Sequence, residues 1–174
     1  MDRKVARNPL LHIASTVIAH AQKQTTMILD ENNFYETINS LSKKDWRPLL
    51  DLIPKIEKVG KFGDNTKAMK LLEQGILVMD PYVEHPIVQQ FRDLVYSIPV
   101  IIDFNWGKWD EGRRIVSDED FDYDSINILT KCKIITAIVR NDRFCSGRLV
   151  EAFESGMILK ILISIRKQLK FDDL

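Results

Sequence analysis

The sequence predicts an all-α fold, a compact multi-helix bundle, on three observations. Apolar residues recur every three or four positions through most segments, the spacing that gathers them on one face of a helix. The strict alternation expected of half-buried strands is nearly absent. Seven glycines and six prolines in 174 residues are too few for a β-sandwich or a long flexible linker. That length suits a hydrophobic core of useful size. Residues 1–41 read as an N-terminal helical extension and residues 42–174 as the helical core domain. The exception to the helical pattern is region 76–104, where two extended pieces allow a minimal two-stranded ribbon.

The N-terminal extension opens with a basic stretch, residues 1–7. Asn8 as N-cap and Pro9 at the first helical position then start an amphipathic helix carrying Leu10, Ala14, Val17 and Ala21. The basic start, an uncharged run to Gln22 and Ala19-His20-Ala21 imitate a secretory signal, but His12, Ser15, Thr16 and His20 make a poor apolar segment. On a helix His12 and His20 stand about 12 Å apart along the axis, too far to chelate one metal ion. A short helix follows at 34–41. Ser42, with Asp45 three positions on, forms a variant capping box for the next helix. Its buried stripe is Trp46, Leu49, Leu50, Ile53 and Ile56, and Pro54 should kink or stop it.

Gly60 and Gly63 mark a loop, and Gly75 ends a helix expected at 66–74. Residues 76–83 read as extended, since Asp80-Pro81 halts helical propagation. Residues 100–104 read likewise, and the two pieces could pair if helices packed on them. Between them, residues 86–97 form an amphipathic helix with Ile87, Phe91, Leu94 and Val95 inward, and His85 reads as a solvated flank. Trp106 and Trp109 then lie in one turn. They either plug the mouth of a small helical core or line a ligand groove. The acidic run 118–124 is no EF-hand. Counted from Asp120, the glycine and glutamate required at positions 6 and 12 are Ser125 and Lys131. It reads as a linker that places negative charge before the next helix.

The C-terminal third carries two apolar helices, 126–140 and 157–169, joined by the densest polar stretch of the chain, 141–156. Ile128, Cys132, Ile135 and Val139 share one face of the first helix. Asp124 or Ser125 can cap its start, and Asn141 in a left-handed conformation can end it. Ser146 is positioned to cap a short helix with Leu149, Val150 and Phe153 inward. Glu154 then borders the buried stripe and requires a cationic partner, for which Arg140, Arg143 and Arg148 are the neighbours. One reading is an ion-pair network pinning helices together. The other is a polar pocket with Cys145 as floor and Asp142, Arg143 and Glu154 as walls. Cys145 is expected to pack under Phe144 and Phe153, with Cys132 inert in the core.

The run Asp142-Arg143-Phe144-Cys145-Ser146-Gly147 with Phe153-Glu154-Ser155-Gly156 resembles the closing signature of an uncharacterised bacterial domain family. Asp80-Pro81-Tyr82-Val83-Glu84 leading to Phe91, and Phe104-Asn105-Trp106 followed by Trp109, are similar to two of its earlier blocks. The resemblance spans about residues 46–169. It departs from the family at Asn105, where an aspartate is expected, and at Met157, where a polar residue is expected. That family implies relatives but no activity.

Composition excludes several function classes. Lysine plus arginine equals aspartate plus glutamate, 25 each, so no overall field recruits nucleic acid or an anionic membrane. No stretch approaches the ~20 apolar residues of a membrane span. Two cysteines make no disulfide framework, and a reduced, cytoplasmic setting is expected. Phosphate-binding glycine loops, zinc motifs and dinucleotide fingerprints are absent, so no metal or cofactor is expected. The expected function is a non-enzymatic module binding a small ligand or a protein partner, with candidate contacts Asp142, Arg143, Cys145, Arg148, Glu154, Trp106 and Trp109. The alternative is an enzyme working through Asp142, Cys145 and Glu154.

Overall fold

The computed structural model describes residues 29–64, 72–76 and 83–171. The helix expected to open at Asn8, most of the helix expected at 66–74 and the extended residues 77–82 lie outside the described residues. Within them the chain is a compact helical fold with minimal sheet, as its periodicity predicts.

After β1 (Leu29–Asp30), helix α1 (Glu31–Ser40) sends Phe34 and Ile38 into the core. Helix α2 (Lys43–Leu50) begins with the expected capping box, in which the Ser42 amide and hydroxyl donate to the Asp45 carboxylate at 2.8 and 2.6 Å. Those bonds hold the Asp45 carboxyl below its ordinary pKa. Pro54 acts as anticipated: the helix breaks after Leu50, and the proline sits in the first turn of α3 (Ile53–Ile56), where no amide is needed. Trp46, Leu49, Leu50, Ile53 and Ile56 are all buried.

A minimal ribbon forms, and the described ends of the two expected pieces pair with different strands. β2 (Gly63–Asp64) pairs antiparallel with β3 (Val83–Glu84), and β4 (Ile102–Asp103) pairs in parallel with β1. Pairings this short gain little alone and are held by the helices around them. Helix α4 (Pro86–Ser97) starts at His85, which is no idle flank, because its Nδ1 accepts the Ile87 amide at 3.2 Å as N-cap.

Helices α5 (Asp110–Ser117), α6 (Ile128–Asn141), α7 (Arg148–Glu154) and α8 (Met157–Gln168) complete the fold. The start of α6 is capped by Asn127, whose side chain accepts the Thr130 amide at 2.8 Å. Asp124 does not cap it, because its carboxylate pairs with Lys167 on α8 at 2.7 Å. Residues Cys132, Ile135 and Val139 of α6 meet Ile158, Ile161, Leu162 and Ile165 of α8 in the core. Each such aliphatic side chain contributes about 1.5–3 kcal/mol through burial. Phe153 sits between Phe62 and Phe91, with ring centroids at 5.1 and 5.3 Å. Among the described residues no helix is long and apolar enough to cross a membrane.

Among the described residues, one in the core is charged. Lys131 is wholly buried on α6 and its Nζ donates to the Ile126 carbonyl at 2.9 Å. Burial lowers its pKa to about 8, against the partial support of Asp124. The unfolded chain therefore binds this proton more tightly. The penalty for carrying the charge is present below about pH 8, and stability rises through the window between there and the ordinary lysine pKa of 10.5. The Ile126 carbonyl also accepts from Gln168, so removing the ammonium leaves it paired. Lys131→Met should stabilise the protein by about 1–2 kcal/mol at pH 7. Urea titrations of both proteins at pH 7 and pH 10 should show that advantage shrinking at the higher pH; a constant gap would show that the ammonium is not strained.

Candidate functional site

Residues 141–156 are built around a carboxylate. Helix α6 runs through Asn141 without a left-handed end, and the left-handed residue of the turn is Gly147, at φ 94°. Glycine, which has no Cβ to crowd the backbone, takes that conformation at no steric cost. It lets the chain re-enter a helix so that the Leu149 amide points back at Asp142, whose Oδ1 accepts it at 2.9 Å. The cap that sequence spacing assigns to Ser146 is supplied from seven residues upstream instead. The other oxygen, Oδ2, accepts from Arg92 on α4 at 2.9 Å. Arg92 also grips Glu84 of β3 through both terminal nitrogens, at 2.8 and 2.9 Å. The Asp142 side chain is 10% exposed and those of Arg92 and Glu84 are 22% and 25% exposed, so the pairs work in a partly desolvated setting. The Glu84 carboxylate, chiefly, and that of Asp142 raise the Arg92 pKa.

Glu154 does not pair with an arginine. It lies exposed at the end of α7 and its Oε1 accepts the amides of Phe62 at 2.6 Å and Gly63 at 3.3 Å. Its work is to fasten the loop before β2 to α7. Arg140 pairs with Asp103 at 3.2 Å, and Arg143 reaches the Tyr96 hydroxyl at 2.6 Å while lying over its ring. Arg148 pairs with Glu151 one turn along α7 at 2.9 Å. Cys145 is exposed, against the expectation of a packed thiol. The physical reason is Phe144, which turns outward to 77% exposure and leans on Trp106, so no aromatic roof forms over the sulfur. Cys132 is fully buried, and burial raises its pKa well above the ordinary thiol value. Of the polar pocket expected at Asp142, Arg143, Cys145 and Glu154, the two carboxylates are thus each engaged by a different structural partner.

A groove does form next to that turn, between α5, the C-terminal half of α6, and α7. One end, about 450 Å³, is lined by Trp106, Trp109, Gly112, Arg113 and Ala137. The other, about 670 Å³, is lined by Asp118, Glu119, Asp120, Glu151 and Lys160. Val116, Ser117, Ile138, Asn141 and Arg148 line both, which makes the two ends one depression. Of the residues singled out from the sequence, Trp106, Trp109 and Arg148 meet here; Asp142, Arg143, Cys145 and Glu154 do not line it.

Trp109 is held edge-on to Phe104, with ring centroids 5.5 Å apart, and lies across Gly112 of α5. A β-carbon at Gly112 would fall 2.0 Å from Trp109 Cε3, so only glycine admits the indole. That glycine, isolated inside a helical pattern, was the legible sign of a close approach. Arg113 braces the same turn, donating to the Gly107 carbonyl at 3.0 Å and pairing with Asp110. Trp106 and Trp109 remain half-buried and contribute aromatic surface to the groove. Sequence spacing missed Arg92, whose partners lie on other elements, and the acidic end, which reads as a linker until folding sets it against α7 and α8.

His85 Nδ1 is taken by its cap, and among the described residues no group of three or more histidine, cysteine, aspartate or glutamate side chains is placed to hold a metal ion. In comparison with known proteins, residues 41–170 match the family model described as a family of unknown function (DUF6508). No curated protein and no solved structure matches the chain.

Two outcomes follow from the geometry of the turn. Asp142→Ala should destabilise by about 2–4 kcal/mol, because it strips Arg92 of one partner and leaves the Leu149 amide open. Asp142→Asn, which can still accept that amide, should lose only about half as much by urea denaturation. In the native protein iodoacetamide should label one thiol, Cys145, with Cys132 reacting only on unfolding. Mass spectrometry finding both cysteines labelled in the native state would contradict the buried core assigned to Cys132.

Proposed function

The chain belongs to this family of unknown function, and from its geometry we propose that it is a binding module whose site is the groove between α5, α6 and α7. The observation that carries this reading is the Trp106–Trp109 end, where two large aromatic surfaces stay half-open beside a sizeable depression. Gly112 is spent to hold one of them there. A pair serving only as a plug would be expected to close over its own cavity. Against the enzymatic alternative stands the employment of Asp142 and Glu154 as backbone acceptors. A reduced, cytoplasmic setting suits the two free cysteines, one of them exposed. A nucleic acid is not a fitting ligand, because the carboxylates of the larger chamber would repel its phosphates.

The test fills the groove from within. Ala137 lines the aromatic end and is only partly buried, so Ala137→Trp puts an indole into the open space with little disturbance of the core. The dye 8-anilinonaphthalene-1-sulfonate suits this end, with its rings against the tryptophans and its sulfonate near Arg113 and Arg148. Dye emission should rise with the wild-type protein and fall at least about fivefold with Ala137→Trp, the melting temperature staying within about 3 °C. Val116→Trp, from the opposite wall, should act alike. Undiminished dye binding in both folded variants would place the site elsewhere.

A further inference from the structure

We propose that the natural occupant of the groove is a cationic segment of another protein, which lodges an apolar or aromatic side chain at the Trp106–Trp109 end and lays lysines or arginines along the acidic end. This inference rests on the groove being the binding site and names the partner that its chemistry selects.

The aromatic end does not stop at the groove's lip. Phe144 stands 77% exposed against Trp106, their ring centroids 6.2 Å apart, and Val116 is 37% exposed on the facing helix. A cluster of outward apolar side chains continuous with a depression is the mark of a surface that docks against another molecule. Arg92 and Asp142 fix the turn that carries Phe144, so the ring is presented from a braced support.

The other end carries the charge. Its lining holds four carboxylates, Asp118, Glu119, Asp120 and Glu151, against two cations, Arg148 and Lys160. Arg148 is already matched to Glu151, and the Lys160 ammonium sits on the Glu119 carbonyl oxygen at 3.0 Å instead of on a carboxylate. Among the described residues no ion pair neutralises the side chains of Asp118, Glu119 or Asp120. Carboxylates in a cleft with low-dielectric walls focus a negative field, and that field draws cations in a chain with no net charge of its own. A guanidinium could in addition stack on either indole. A single compact ligand would have to be apolar at one end of this long depression and cationic at the other. A polypeptide segment meets both demands with ordinary side chains.

The experiment measures binding of a fluorescein-labelled peptide of about twelve residues, lysines and leucines around one central tryptophan, by anisotropy with the full chain. Its counterpart has every lysine replaced by glutamate. The basic peptide should bind at micromolar concentrations in low salt and weaken roughly tenfold by about 0.3 M salt. The acidic peptide should bind at least about tenfold more weakly. The triple variant Asp118→Asn/Glu119→Gln/Asp120→Asn should lose at least about tenfold in affinity for the basic peptide. Neutralising Glu36, Glu57 and Glu73, exposed carboxylates that do not line the groove, should change it by less than about twofold. Equal binding of the two peptides overturns the proposal, as does an equal response of the two triple variants. If the dye still enters the groove and Ala137→Trp still blocks it while the basic peptide fails to bind, the groove stands and the cationic partner falls. If the dye signal also fails, the reading of the groove falls with it.

Discussion

The bond set on which the rest depends is the one Arg92 makes. A guanidinium 22% exposed must be compensated, and two carboxylates from distant parts of the chain do so: Glu84 from the short ribbon and Asp142 from the turn after α6. Asp142 passes the constraint on, since its second oxygen receives the amide that opens α7. Through one cation the ribbon, α4, the end of α6 and the start of α7 acquire a common origin. Helix α7 supplies one wall of the groove through Arg148, Glu151 and Ala152. The position of that wall is thus decided by charges that never touch the depression.

The molecule separates the tasks that its most conspicuous stretch appears, in one dimension, to combine. Asp142 and Glu154 both serve as acceptors for backbone amides, one inside the turn and the other across to residues 62–63. Phe144 and Arg148, from the same sixteen residues, face outward or along the groove. A run rich in charge and glycine is what a tight, partly buried reversal requires, and the same run leaves side chains over for other uses. Density of polar residues alone does not distinguish the two.

How much was legible depended on the range of the interactions involved. The Ser42–Asp45 box, the break at Pro54, the inward faces of α2, α4, α6 and α7, and helix α4 itself follow from neighbours within one or two turns, and they stand in the structure as periodicity places them. Family resemblance likewise agrees with the match over residues 41–170. The cap at His85, bonded to Ile87 two residues on, was a local miss; the other errors involve a partner farther along the chain. Glu154 found amides some ninety residues away, Asp124 found Lys167, Ile102–Asp103 found Leu29–Asp30, and Arg92 gathered carboxylates on both sides. Cys145 failed for a related reason: whether Phe144 covers the thiol or leaves it depends on Trp106, which no local spacing reveals.

The three tryptophans of the chain divide unevenly, and this gives the protein an optical property. Trp46 is fully enclosed in the core, whereas Trp106 and Trp109 stand half-open on the groove. Indole emission shifts to the blue as water leaves its surroundings. The native spectrum is therefore the superposition of one constant short-wavelength emitter and two whose colour follows the wetness of the groove. Anything that dries the groove writes its arrival into the protein's own ultraviolet light, with the buried indole as internal reference.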